Sequence, residues 1–134
     1  MGLFAPSHGT ALHRAQDLWE TEQREQAVSL LRRALPTLHP KTNATDALII
    51  ATLAVYLSDL GRPREGLALI DRVPLDGVRL TQTHLIVLGA RSSCKAAFGD
   101  LAGARRDRDT IFSMDPRHPA LALTDASLER FTRR

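Results

Sequence analysis

Apolar residues return every three or four positions along most of this chain, the spacing of helices that bury one face. A first helix is predicted after Thr10, taken as its N-cap, to about Glu22, burying Ala11, Ala15, Leu18 and part of Trp19. A second spans about Arg24 to Leu35 on a stripe of Ala27, Leu30, Leu31 and Ala34, with Pro36 and Pro40 preventing continuation. Asn43 followed by Asp46 is a variant capping box that opens a third helix, Ala44 to Leu60. Ile49, Ile50, Leu53, Ala54, Val55, Tyr56 and Leu57 leave that helix few polar positions, so cover on both sides is expected. Gly61 ends it, Pro63 suits the first turn of the next helix, and Pro74 cuts that one short. After a connector over Leu75 to Leu80, Thr81 or Thr83 caps a helix reaching about Phe98. Gly99-Asp100 then turns the chain into a return helix that carries Leu101, Ala104, Ile111 and Phe112 and stops at Asp115-Pro116. Leu121, Leu128 and Phe131 mark a terminal helix.

A longer pattern runs above these helices. Ser92, Gly99, Ala104 and Pro116 mark a helix, a turn, a second helix and a stop. Ala54, Gly61 and Gly66 repeat the first three marks, and Ala15, Glu22, Ala27 and Pro40 follow more loosely. The unit is a helical hairpin used three times, and self-similarity of this kind signals a repeat array. The paired small residues lie twelve apart: Ala15 with Ala27, Ala54 with Gly66, Ser92 with Ala104. Only small side chains let two helix backbones approach to about 8 Å.

On these marks the chain resembles a degenerate member of the tetratricopeptide repeat family, built from 34-residue helix–turn–helix units. The resemblance covers roughly residues 8–118, with repeats at about 8–41, 47–80 and 85–118 and a capping helix at about 119–132. Departures are Glu22 where a turn glycine is expected, sparse aromatic signature positions, Arg108 at a packing position, and Pro74. What the resemblance implies is an all-α fold, a right-handed superhelical stack whose concave surface holds a peptide or a partner helix. The inward positions it assigns are Leu12, Gln16 and Trp19, then Leu48, Ala51, Val55 and Ser58, then Ile86, Ala90, Ser93 and Ala97. Most are small or apolar. Clamping of a peptide's C-terminal carboxylate, which in this family uses Lys, Asn and Arg, is disfavoured by Leu12, Gln16, Thr52, Ile86 and Ala90. An adaptor or scaffold acting through an apolar groove is the expectation, with Trp19 as an anchor or a packing residue. The same surface would also suit the terminal helix or a second copy of the chain in a homodimer.

Composition narrows the rest. With 134 residues the chain suits one domain, and 43% hydrophobic but only 4% aromatic residues fit close-packed helices. The net charge of +3 arises wholly after residue 67. Arg105, Arg106, Arg108 and Arg117, with Arg130, Arg133 and Arg134, are the alternative: a nucleic-acid patch, diluted by Asp107, Asp109 and Asp115. The run from Arg105 to Asp109 otherwise reads as a solvated helix face. His8, His13, His39, His84 and His118 are scattered, so no metal site and no cofactor are expected. Arg91 and Lys95 flank Cys94, which would favour a thiolate, yet His84 is ten residues away on the same helix, about 15 Å. Inert packing or a partly exposed thiol is expected there, and no enzymatic activity. Gly99 to Gly103 lacks the lysine of a phosphate loop. One cysteine, no basic-then-apolar start in Met1–Pro6, Pro6 where myristoylation needs Ser or Thr, and no long apolar run together predict a cytoplasmic, soluble protein.

Overall fold

The computed structural model describes residues 7–133, so the N-terminal Met1–Pro6 stretch and Arg134 lie outside it. Ser7 caps the first helix, α1 (His8–Glu20), by accepting from the Thr10 amide at 3.1 Å. That replaces the expected start at Thr10, whose hydroxyl instead hydrogen-bonds the Ser7 hydroxyl at 2.9 Å, and the helix closes two residues before Glu22. Then follow α2 (Arg24–Ala34), a 3-10 turn at Leu35–Thr37, α3 (Ala44–Asp59), α4 (Pro63–Ile70), α5 (Gln82–Phe98), α6 (Leu101–Met114) and α7 (Ala120–Thr132). The described residues contain seven α-helices and no strand.

Local chemistry explains the boundaries. Asn43 accepts the Asp46 amide at 3.1 Å, Thr81 and His84 form a reciprocal capping box, and Asp100 accepts the Gly103 amide at 2.9 Å. Each satisfies a first-turn donor that has no partner inside its helix. Asp46 does not reach back to complete its own box. It is buried, taking the His39 amide at 2.7 Å and His8 Nδ1 at 2.5 Å, which ties the start of α1 and the second connector to α3.

The three hairpin turns are built alike. Gln23, Arg62 and Asp100 each donate their backbone N–H to the carbonyl five residues back, at 2.8, 2.7 and 2.8 Å. The residue before each has positive φ: Glu22 at 64°, Gly61 at 83°, Gly99 at 106°. This is the left-handed helix stop that glycine adopts without a Cβ clash. Equivalent turn residues recur 39 and then 38 positions apart, longer than a 34-residue unit because each connector adds residues. Glu22 bears the strain that glycine avoids, about 1–2 kcal/mol for a side chain in this region. Glu22→Gly is therefore expected to raise unfolding free energy by about 0.5–1 kcal/mol, net of glycine's greater freedom when unfolded. Gly61→Ala and Gly99→Ala, with open space around each Cβ, should lower it by about 1 kcal/mol in the same urea titrations.

Packing follows chain order. α1 meets α2, α3 meets α4 and α5 meets α6; α1, α3, α5 and α7 adjoin one another in turn, and each return helix touches the first helix that follows it. All six small residues of the paired positions are buried. The second crossing is close at Gly66, where an added Cβ would lie 2.7 Å from the Ala54 carbonyl oxygen and 2.9 Å from Cys94 Sγ. At the third crossing the Ser92 hydroxyl donates to the Ala104 carbonyl at 2.8 Å. The apolar centre is supplied above all by α3, whose Ile49, Ile50, Leu53, Ala54 and Leu57 are buried. Each large side chain so placed contributes about 1.5–3 kcal/mol. α4 is eight residues long, as Pro74 leads one to expect, and Val73 and Leu75 beyond it turn inward to the same core.

One surface expectation is corrected. Asp107 is not on a solvated face: it is buried between α5 and α6, bound by Arg91 through Nε at 2.9 Å and Nη2 at 2.7 Å, with Lys95 at 3.2 Å. Two fixed N–H donors meeting two carboxylate oxygens make this a strong, directional pair.

A candidate groove between the first helices

α1, α3, α5 and α7 come together around a hollow of about 240 Å³. Its walls are Gln16 from α1, Ala51, Thr52, Val55 and Tyr56 from α3, Ile86 and Ala90 from α5, and Leu123 from α7. Of the eleven inward positions expected from the sequence, Gln16, Ala51, Val55, Ile86 and Ala90 are brought together here. Ile86 and Leu123 keep 39% and 38% of their surface exposed, so apolar atoms remain open to solvent. Larger depressions exist, including one of about 580 Å³ around Arg62 to Glu65 and Phe98, which is lined by α4, the turn before it and the end of α5.

The remaining six positions lie elsewhere for identifiable reasons. Leu12 and Trp19 pack against the core. Trp19 is stacked on Tyr56 with centroids 4.0 Å apart and rings nearly parallel, and Arg24 covers it at 4.9 Å. It supports the hollow through Tyr56 rather than lining it. Ser58 is buried, while Leu48 and Ala97 are half-buried and outside the lining. Ser93, equivalent to Gln16 and Val55 by the turn spacing, is buried and hydrogen-bonds Ser127 of α7 at 2.8 Å. The terminal helix thus covers Ser93 and adds Leu123 to the wall beside Ile86 and Ala90. Leu123 was missed because nothing local in the sequence says that α7 folds back beside α5; Tyr56 was missed because its apolar neighbours marked it as core.

Burial governs the ionisable groups nearest the hollow. Burial, with Glu20 adding to it, pushes the Tyr56 hydroxyl up to about 12, so it stays neutral as part of the wall. Cys94, on α5, is fully buried, its thiol 3.4 Å from the Ala54 carbonyl. Burial pushes that thiol up to about 12, overriding a hydrogen bond from Ser58 that acts the other way. Arg91 and Lys95, the sequence neighbours that could have lowered it, are turned to Asp107. A disulfide reagent at pH 8 should leave the native thiol unmodified over hours and label it fully in urea; rapid native labelling would refute its burial. The histidines have structural duties: His84 completes a cap and buried His118 accepts the Ala120 amide at 3.0 Å.

The arginines of the alternative patch divide. Arg105, Arg106 and Arg117 are exposed. Arg108 is committed, pairing with Asp125 at 3.0 Å and lying over Phe112 at 4.9 Å. Among the described residues no helix is long and apolar enough to cross a membrane. Compared with family models, with curated proteins and with solved structures, the chain gives no match.

Proposed function

We propose that this chain is a short tetratricopeptide-like superhelical stack working as a non-catalytic adaptor, and that its hollow receives one large apolar side chain of a partner polypeptide. The observation that carries this reading is the open apolar lining contributed jointly by α1, α3, α5 and α7. A cavity of about 150 Å³ lined by aliphatic residues accepts a benzene ring. At about 240 Å³ this one suits a Phe, Leu or Met anchor, with Gln16 and Thr52 at its edge to meet backbone groups. Burying such an anchor contributes about 1.5–3 kcal/mol, so neighbouring contacts must add the rest of a useful affinity. A cytoplasmic setting agrees with the lone, unpaired cysteine.

The test uses peptides selected from a displayed random library on the wild-type protein. Val55→Glu places a carboxylate in the hollow and is expected to weaken their binding at least about tenfold, while the melting temperature stays within a few degrees. Affinity should change little between 50 and 300 mM salt, and Arg105→Ala with Arg106→Ala should leave it intact. Steep salt dependence together with loss in the arginine variant would mean that phosphate-type contacts carry binding, and the reading fails. Sedimentation of the protein alone distinguishes a second copy as occupant: a dimer dispersed by Val55→Glu would replace the foreign partner.

A further inference from the structure

A second surface lies on the first hairpin. Between α1 and α2 is a cavity of about 430 Å³ with Ala11, Leu30 and Ala34 among its lining and Arg14 and Arg33 on its walls. One end is closed by the 2.9 Å hydrogen bond from His8 to Thr37. The turn spacing shows what this face is. Thirty-nine residues on, Ala11, Arg14, Leu30, Arg33 and Ala34 correspond to Ile50, Leu53, Leu69, Arg72 and Val73 of the second hairpin. There Leu69 and Arg72 share a depression with Arg32 of α2 and Leu35 of the 3-10 turn. The face that the second hairpin uses to pack on the first is therefore repeated on the first, where none of the described elements covers it.

Charge identifies the occupant. In the third hairpin the residue equivalent to Arg14 is Arg91, and the residue equivalent to Leu30 is Asp107, 2.7 Å away and bidentate. In the first hairpin the guanidinium is kept but the carboxylate is replaced by leucine. Neither Arg14 nor Arg33 is among the ion-paired arginines of the described residues, which are Arg32, Arg62, Arg91, Arg108, Arg130 and Arg133. We infer that this face docks an acidic amphipathic helix of another protein, its carboxylates on Arg14 and Arg33 and an aliphatic side chain on Leu30. The helix lies where a preceding hairpin would lie, and the arginines take the charge-assisted bonds that Arg91 finds internally. This surface is independent of the hollow between the first helices.

The experiment selects 18-residue helix-forming peptides from a displayed library on the wild-type protein, with counter-selection on the double variant Arg14→Gln, Arg33→Gln. Both arginines are exposed, so the variant should fold, and circular dichroism checks that it does. Expected binders carry Glu or Asp three or four positions from Leu, bind the double variant at least about tenfold more weakly, lose as much when their acids become Gln, and are unaffected by Val55→Glu. Binders no richer in acids than the library, equal affinity for the double variant, or loss in Val55→Glu would each overturn the inference, leaving the arginines to keep an end face soluble. So would self-association of the protein alone that the double variant abolishes, because the occupant would then be a second copy.

Discussion

Gly66→Val should destabilise the protein by about 3 kcal/mol, and Gly66→Ala by about 1–2, even though alanine favours a helix by about 1 kcal/mol over glycine. The obstacle is a backbone atom: an added Cβ would stand 2.7 Å from the Ala54 carbonyl oxygen, which cannot move without shifting α3, the most buried helix. The second obstacle, Cys94 Sγ at 2.9 Å, is removable. Cys94→Ala should therefore relieve part of the Gly66→Ala penalty, a coupling that a double-mutant cycle in urea measures directly. Additive effects would mean that α3, α4 and α5 do not meet at this point. Since a domain of this size has about 5–15 kcal/mol of stability, Gly66→Val spends a large fraction of it.

Arg91→Met should cost about 3 kcal/mol, for a different reason. The lost hydrogen bonds are the smaller part; the larger is that Asp107, with its side chain only 5% exposed, would keep Lys95 as its sole cationic partner. Asp107→Leu together with Arg91→Met should recover most of the loss, because an apolar pair leaves no buried carboxylate and Lys95, with 21% of its side chain exposed, can turn its ammonium to water. The pair thus sets how α5 and α6 sit on each other more than how strongly they hold. A double variant as unstable as the single one would show that the network contributes energy in its own right.

Much of the fold was legible because its determinants are local. Helix extents followed from Asn43, Pro63, Thr81 and Gly99, and the hairpin positions from small residues twelve apart, all buried at crossings. The first turn was legible only as a departure, since Glu22 breaks the glycine pattern yet adopts the same geometry at φ 64°. Ser7 and Thr10 are both hydroxyl residues three apart, so sequence alone did not decide which caps α1. What stayed hidden depends on contacts across the chain. Asp107 looked solvated among Arg105, Arg106 and Arg108 because its partner, Arg91, comes from another helix. Five of the eleven expected groove residues share one hollow, whereas Trp19 is held in a ring stack and Ser93 lies under α7. Both outcomes are set by where α7 and Tyr56 end up, which no periodicity encodes.

As proposed, a partner's apolar side chain enters the hollow between α1, α3, α5 and α7. Backbone and methyl resonances of isotope-labelled protein, followed while a selected peptide is added, test it most directly. The largest shifts are expected at Thr52, Val55, Ile86, Ala90 and Leu123, with a change in the Trp19 ring signals transmitted through Tyr56. Shifts confined to Arg105, Arg106 and Arg117, with the hollow's methyl groups unmoved, would contradict it.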